Sequence, residues 1–130
     1  MYTAVPQNVC LVRDLWVYGV FLDTVADRLQ LLQLLSMAAG EMAAIETAFL
    51  NAQWGLLHFH AHELRANLCY LCANDTVASL AAVITAVRNE PTPPSMLPFV
   101  DAAGRAFGVF EAWIVAHVWK LEANSKIRGL

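Results

Sequence analysis

The chain has 130 residues, enough for one domain with a self-sufficient core and too few for two. Eight basic against eleven acidic residues leave a net charge of −3, and no basic run is present that would neutralise a series of phosphates, which sets nucleic acid aside as a partner. Apolar residues make up 58% and charged residues 15%, with a mean hydropathy of +0.49, so part of the apolar surplus is expected at the surface as a groove or an interface.

Helical periodicity dominates, and glycine and proline gather at joints instead of recurring every strand length, which predicts an all-α chain. Asn8 caps a first expected helix running to about Leu22, with Leu11, Leu15, Tyr18 and Leu22 on one face. Asp23 or Thr24 caps a second, "VADRLQLLQLLSMAA", with Leu29, Leu32 and Leu35 or Met37 inward and a break at Gly40. A third, "EMAAIETAFL", presents Met42, Ile45 and Phe49 on one side. After a corner at residues 51–55 a long helix runs to about Ala73. The "AND" at 73–75 reads as a tight turn with a cap on "TVASLAAVITAVRN", so these two helices form an antiparallel hairpin. The stretch "EPTPPSMLP" reads as a loop, and from Phe99 two short helices follow, bent near Gly104 or Gly108 and ending near Leu121.

The twelve uncharged residues from Thr76 to Val87 fall short of the about twenty that a membrane span needs, and the last stretch, "WKLEANSKIRGL", is too polar for a tail anchor. A soluble chain is expected. Cys10, Cys69 and Cys72 follow no secretory leader pattern, so they are expected as free thiols in a reducing compartment.

Three histidines crowd "QWGLLHFHAHE". At about 100° per residue, His58 and His62 share a face and His60 points roughly the other way, which excludes a three-histidine site on this helix. His62 and Cys69 are about 10.5 Å apart along the axis, too far for one zinc. Three readings of these residues remain: a His58/His62 surface pair completed from elsewhere, such as by His117; a Cys69-x-x-Cys72 redox pair; or partly buried polar residues on a helix with one wet face. A Gly-rich phosphate loop and G-x-S-x-G are absent from the sequence, and neither an enzyme nor a cofactor is expected.

Around the same corner, "NAQWGLL" resembles the first homology motif of the Bcl-2 family of apoptosis regulators: Trp54 and Gly55 match, Gln53 stands for the usual Asn, and Leu56 replaces the Arg. "PFVDAAGRAFGVFEAW" is similar to the second motif, with Pro98, Phe99, Val100, Gly104 and Glu111 in place, and "LVRDLWVY", with Asp14 and Tyr18, to the fourth. For the third motif there is only a Gly-acid pair, Gly40 and Glu41. Order and spacing agree, and the compact length resembles a viral member.

The resemblance implies a single Bcl-2-like helical bundle over residues 1–130, with a central hydrophobic hairpin and a surface groove. That groove would take the BH-3 helix of a pro-apoptotic partner, Bim foremost, then Bid, Puma, Bak or Bax. The implied role is anti-apoptotic, a protector in the host cytoplasm or at the periphery of mitochondria. In the family the Arg after Trp-Gly pairs with an Asp of the ligand; Leu56 cannot, so a narrowed ligand set is expected unless Arg65 or Arg105 substitutes. Gly55 would let the ligand helix approach closely. Met42, Ile45, Phe49, Leu57 and Phe59 form the expected groove wall, joined by Trp54, Phe99, Gly104 and Arg105; the same stripe also suits ordinary core. An exposed groove makes a homodimer a secondary expectation, and a self-associating structural module the alternative function.

Overall fold

Four helices joined by short connections make up the computed structural model, which describes the backbone of residues 25–69 and 73–129. They are α1 (Val25–Leu50), α2 (Trp54–Cys69), α3 (Asn74–Val87) and α4 (Pro93–Gly129), with no strand among the described residues. The expected helix from Asn8, and with it the stretch resembling the fourth motif, lies outside them. Each helix packs on its neighbours in the chain, and α4 returns to pack on α1. The expected all-helical class is therefore observed, as is the pairing of the Trp54 helix with the 74–87 helix.

Two expected breaks do not occur. α1 runs straight through Gly40, because Leu31, Leu35, Ala38, Met42, Ile45 and Ala48 form one uninterrupted buried stripe across it. Each fully buried Leu or Ile is worth about 1.5 to 3 kcal/mol, which outweighs a glycine penalty of about 1 kcal/mol. The inward set also differs from expectation. Leu35 is buried and Leu32 partly so, whereas Leu29 and Met37 are exposed and Arg28 and Leu31 take the inner positions.

α4 is likewise one helix, and it starts inside the expected proline loop. The loop is residues 88–92, and Pro93 and Pro94 occupy the first turn, where a missing N–H removes no helical bond. Thr92 closes that end: its Oγ1 accepts the Ser95 N–H at 3.1 Å while Ser95 Oγ accepts the Thr92 N–H at 2.9 Å, a reciprocal cap. Met96, Val100, Ala103, Phe107, Phe110, Ile114 and Val118 are buried at helical spacing, and this stripe carries the helix past Pro98, Gly104 and Gly108 without a bend into two pieces. Pro98 sits on the exposed side, where water can serve the Pro94 carbonyl it leaves unbonded.

At the start of α3 the cap position is Ala73, with no side-chain bond, so neither Asn74 nor Asp75 caps as expected. Asp75 instead lies in the first turn, where a carboxylate suits the positive end of the helix dipole.

Candidate functional site

The corner between α1 and α2 is built by the backbone. Ala52 takes a left-handed φ of 53°, its N–H bonds the Phe49 carbonyl at 3.0 Å, and the Gln53 N–H bonds the Ala48 carbonyl at 2.9 Å, which is a Schellman ending. The Gln53 carbonyl then accepts the Leu57 N–H at 2.9 Å and opens α2. Across this corner the Phe49 and Trp54 rings pack tilted, with centroids 6.3 Å apart, both half-buried against the core. The turn therefore fixes where Gly55 and Leu56 stand.

The residues singled out from sequence divide into two groups. Met42, Ile45 and Leu57 are core, at 4%, 0% and 0% exposure, because α1 and α2 close directly on each other; none of them forms an open groove wall. Gly55 is exposed and a Cβ there would meet nothing within 4 Å. Leu56 and Phe59 are exposed at 46% and 55%. On α4, Phe99 is exposed, and Arg105 pairs with Asp101 at 2.9 Å, one turn away on the same helix. Gly104 faces α1, where its Cβ would stand 3.3 Å from Oε1 of Glu46 and 3.8 Å from Met42.

His60 reaches across to α1. Its Nδ1 donates to Oε2 of Glu41 at 2.8 Å, with both side chains part-buried. This link marks the outer seam between the two antiparallel helices. Leu34 and Met37 lie about 20° and about 40° around α1 from Glu41, and Leu56 lies about 40° around α2 from His60. Leu34 and Met37 are 40% and 64% exposed. Phe59 points further outward and packs edge-on against His60, with centroids 5.3 Å apart. Two exposed apolar pairs, Leu34/Met37 and Leu56/Phe59, thus straddle the Glu41–His60 link. Along the axis they extend about 10.5 Å to one side and about 6 Å to the other, some three helical turns in all.

Sequence reasoning finds Leu56 and Phe59 but not Leu34 and Met37. The signal is present: "LQLLQLL" carries two apolar stripes, and only one of them can face the core.

His58 and His62 do share a face, with ring centroids 6.2 Å apart, and Nη2 of Arg88 reaches Nε2 of His58 at 3.4 Å. No group of three or more His, Cys, Asp or Glu among the described residues is placed to hold a metal. Cys69 is exposed; Cys72 and the side chain of His117 lie outside what is described. No described helix is long and apolar enough to cross a membrane. Comparison with models of protein families, with characterised proteins and with solved structures finds no match to the chain.

Proposed function

We propose that the chain is a helix-capturing regulator of the Bcl-2 type, which sequesters the BH-3 helix of a pro-apoptotic protein on the α1–α2 seam and so restrains cell death. The observation that carries this reading is the seam itself: four large apolar side chains left exposed around the Glu41–His60 link, next to the Trp54-Gly55 corner whose sequence resembles the family's first motif. Their span of about three turns suits a helix read at i, i+3 or i+4, i+7 and i+11. Met42, Ile45 and Leu57 support the seam from beneath, in place of lining it.

Binding strength on this seam comes from apolar area. Phe59 is 55% exposed, so a ligand that covers it removes on the order of 100 Å² from water, worth about 2.5 kcal/mol. Titration of the full chain with fluorescent BH-3 peptides from Bim, Bid, Puma, Bak and Bax tests the proposal. Binding of one or a few, weakened about 10- to 50-fold by Phe59→Ala with the melting temperature unchanged, is the expected result. Silence across the panel, or a Kd indifferent to Phe59→Ala, refutes it. Exposed Val109 and Val115 on α4 favour a second reading, a module that self-associates through that helix; concentration-dependent sedimentation without peptide binding would select it.

A further inference from the structure

Charge on the α1–α2 seam is one-sided. Glu41 presents a part-buried carboxylate held by His60, and Glu63, about 60° around α2 from His60, is exposed. None of the described guanidinium groups faces it. Arg28 is buried, Arg88 reaches His58 on the opposite flank of α2, and Arg105 pairs with Asp101 on α4. Arg65 lies about 140° around α2 from His60. Leu56, exposed beside the link, adds apolar surface and no charge.

From this arrangement we infer that the seam selects an amphipathic helix carrying a basic residue beside its apolar stripe, at the level of Glu41 and Glu63, and disfavours a helix with a carboxylate there. This rests on the seam being a docking site, as proposed above. The apolar pairs supply most of the attraction, since they are common to any amphipathic helix; the two carboxylates supply the discrimination. A ligand Lys or Arg meets Glu41 where His60 already orients the carboxylate, so little side-chain ordering remains to oppose the pairing. A ligand Asp or Glu at the same level faces like charge while being stripped of water, and none of the described guanidinium groups is within the seam to receive it. A second copy of this chain docking through the same face would gather four carboxylates, Glu41 and Glu63 of each copy, into one interface, which makes self-association through this face the poorer match.

The test uses two synthetic helical peptides, identical in their apolar stripe and differing only in Lys or Glu at the flanking position, titrated against the full chain by fluorescence anisotropy. The Lys peptide should bind about three- to tenfold more tightly, and the ratio should shrink as salt is raised. Glu41→Gln with Glu63→Gln should bring the two Kd values within about twofold, the amide oxygen introduced on α1 still accepting the His60 N–H. Leu56→Arg should narrow the ratio, because one guanidinium beside the link offsets part of the charge of the two carboxylates. Equal binding of both peptides, each weakened by Phe59→Ala, overturns the charge selection and leaves the docking site standing. If neither peptide binds, or binding ignores Phe59→Ala, the docking site and the selection fall together.

Discussion

Gly40→Ala decides whether α1 is one helix or two. Gly40 is exposed, its φ is not left-handed, and a Cβ built there meets nothing within 4 Å. Replacing it therefore adds no clash and removes the backbone freedom that glycine loses on folding. In the interior of a helix Ala is preferred over Gly by about 1 kcal/mol, part of it through restriction of the unfolded chain. At about 2.1 cal/mol/K per residue, a chain of 130 residues has an unfolding entropy of about 0.27 kcal/mol/K, so 1 kcal/mol raises the melting temperature by about 3 to 4 °C. Reversible thermal unfolding followed by far-ultraviolet circular dichroism measures this directly, and a urea titration should show a higher midpoint at unchanged slope. If Gly40 instead ended a helix in the left-handed region, the same substitution would force a Cβ into that region and cost about 1 to 2 kcal/mol. A lower melting temperature would refute the continuous helix and restore the two-helix reading.

Ala52→Gly should also stabilise, by about 0.5 to 1 kcal/mol in chemical denaturation, because Ala52 already holds the left-handed position of the α1 ending that glycine adopts without strain. Ile45→Ala, at a fully buried position, should cost about 2 to 4 kcal/mol and lower the urea midpoint accordingly. Gly55→Glu should leave the melting temperature equal or higher, since the position is open and a carboxylate suits a helix start, while abolishing peptide binding in the anisotropy titration. A Gly55→Glu protein that still binds would place the ligand elsewhere.

The parts of the fold that are legible in the sequence are those where one apolar stripe has no competitor. In α2, Leu57, Ala61, Leu64 and Leu68 are the only apolar set at helical spacing that charged or polar residues leave uninterrupted, and they are the buried set. α1 offers two stripes among five leucines between positions 29 and 35, and choosing between them needs the partner helices: the chosen face is the one that lets small Ala38 and Ala48 sit inside. The start of α4 is hidden for a different reason. Proline density marks a loop in the chain interior, but two prolines directly after a capping Thr are compatible with a first turn, and the Ser95 hydroxyl that completes the cap gives little signal beside them. Of the exposed half of the candidate site, Leu56 follows from the corner motif and Phe59 from the helical periodicity of the expected groove wall. Periodicity puts Met42, Ile45 and Leu57 on the inward faces of their helices; that those faces are closed core and not an open groove wall follows from the packing of α1 on α2.

The order in which the helices touch has a consequence for how the chain assembles. α1 with α2, α2 with α3 and α3 with α4 are all contacts between sequence neighbours, so each closes a short loop at small entropic cost as synthesis proceeds. Among the described helices, the main packing that joins distant parts of the chain is that of α4 on α1. α4 also brings Met96, Phe107, Phe110 and Ile114, a large share of the bulky core. A nascent chain that has made the first three helices is thus a ladder with one wet hydrophobic side, open to aggregation or to a chaperone until the fourth helix arrives to cover it.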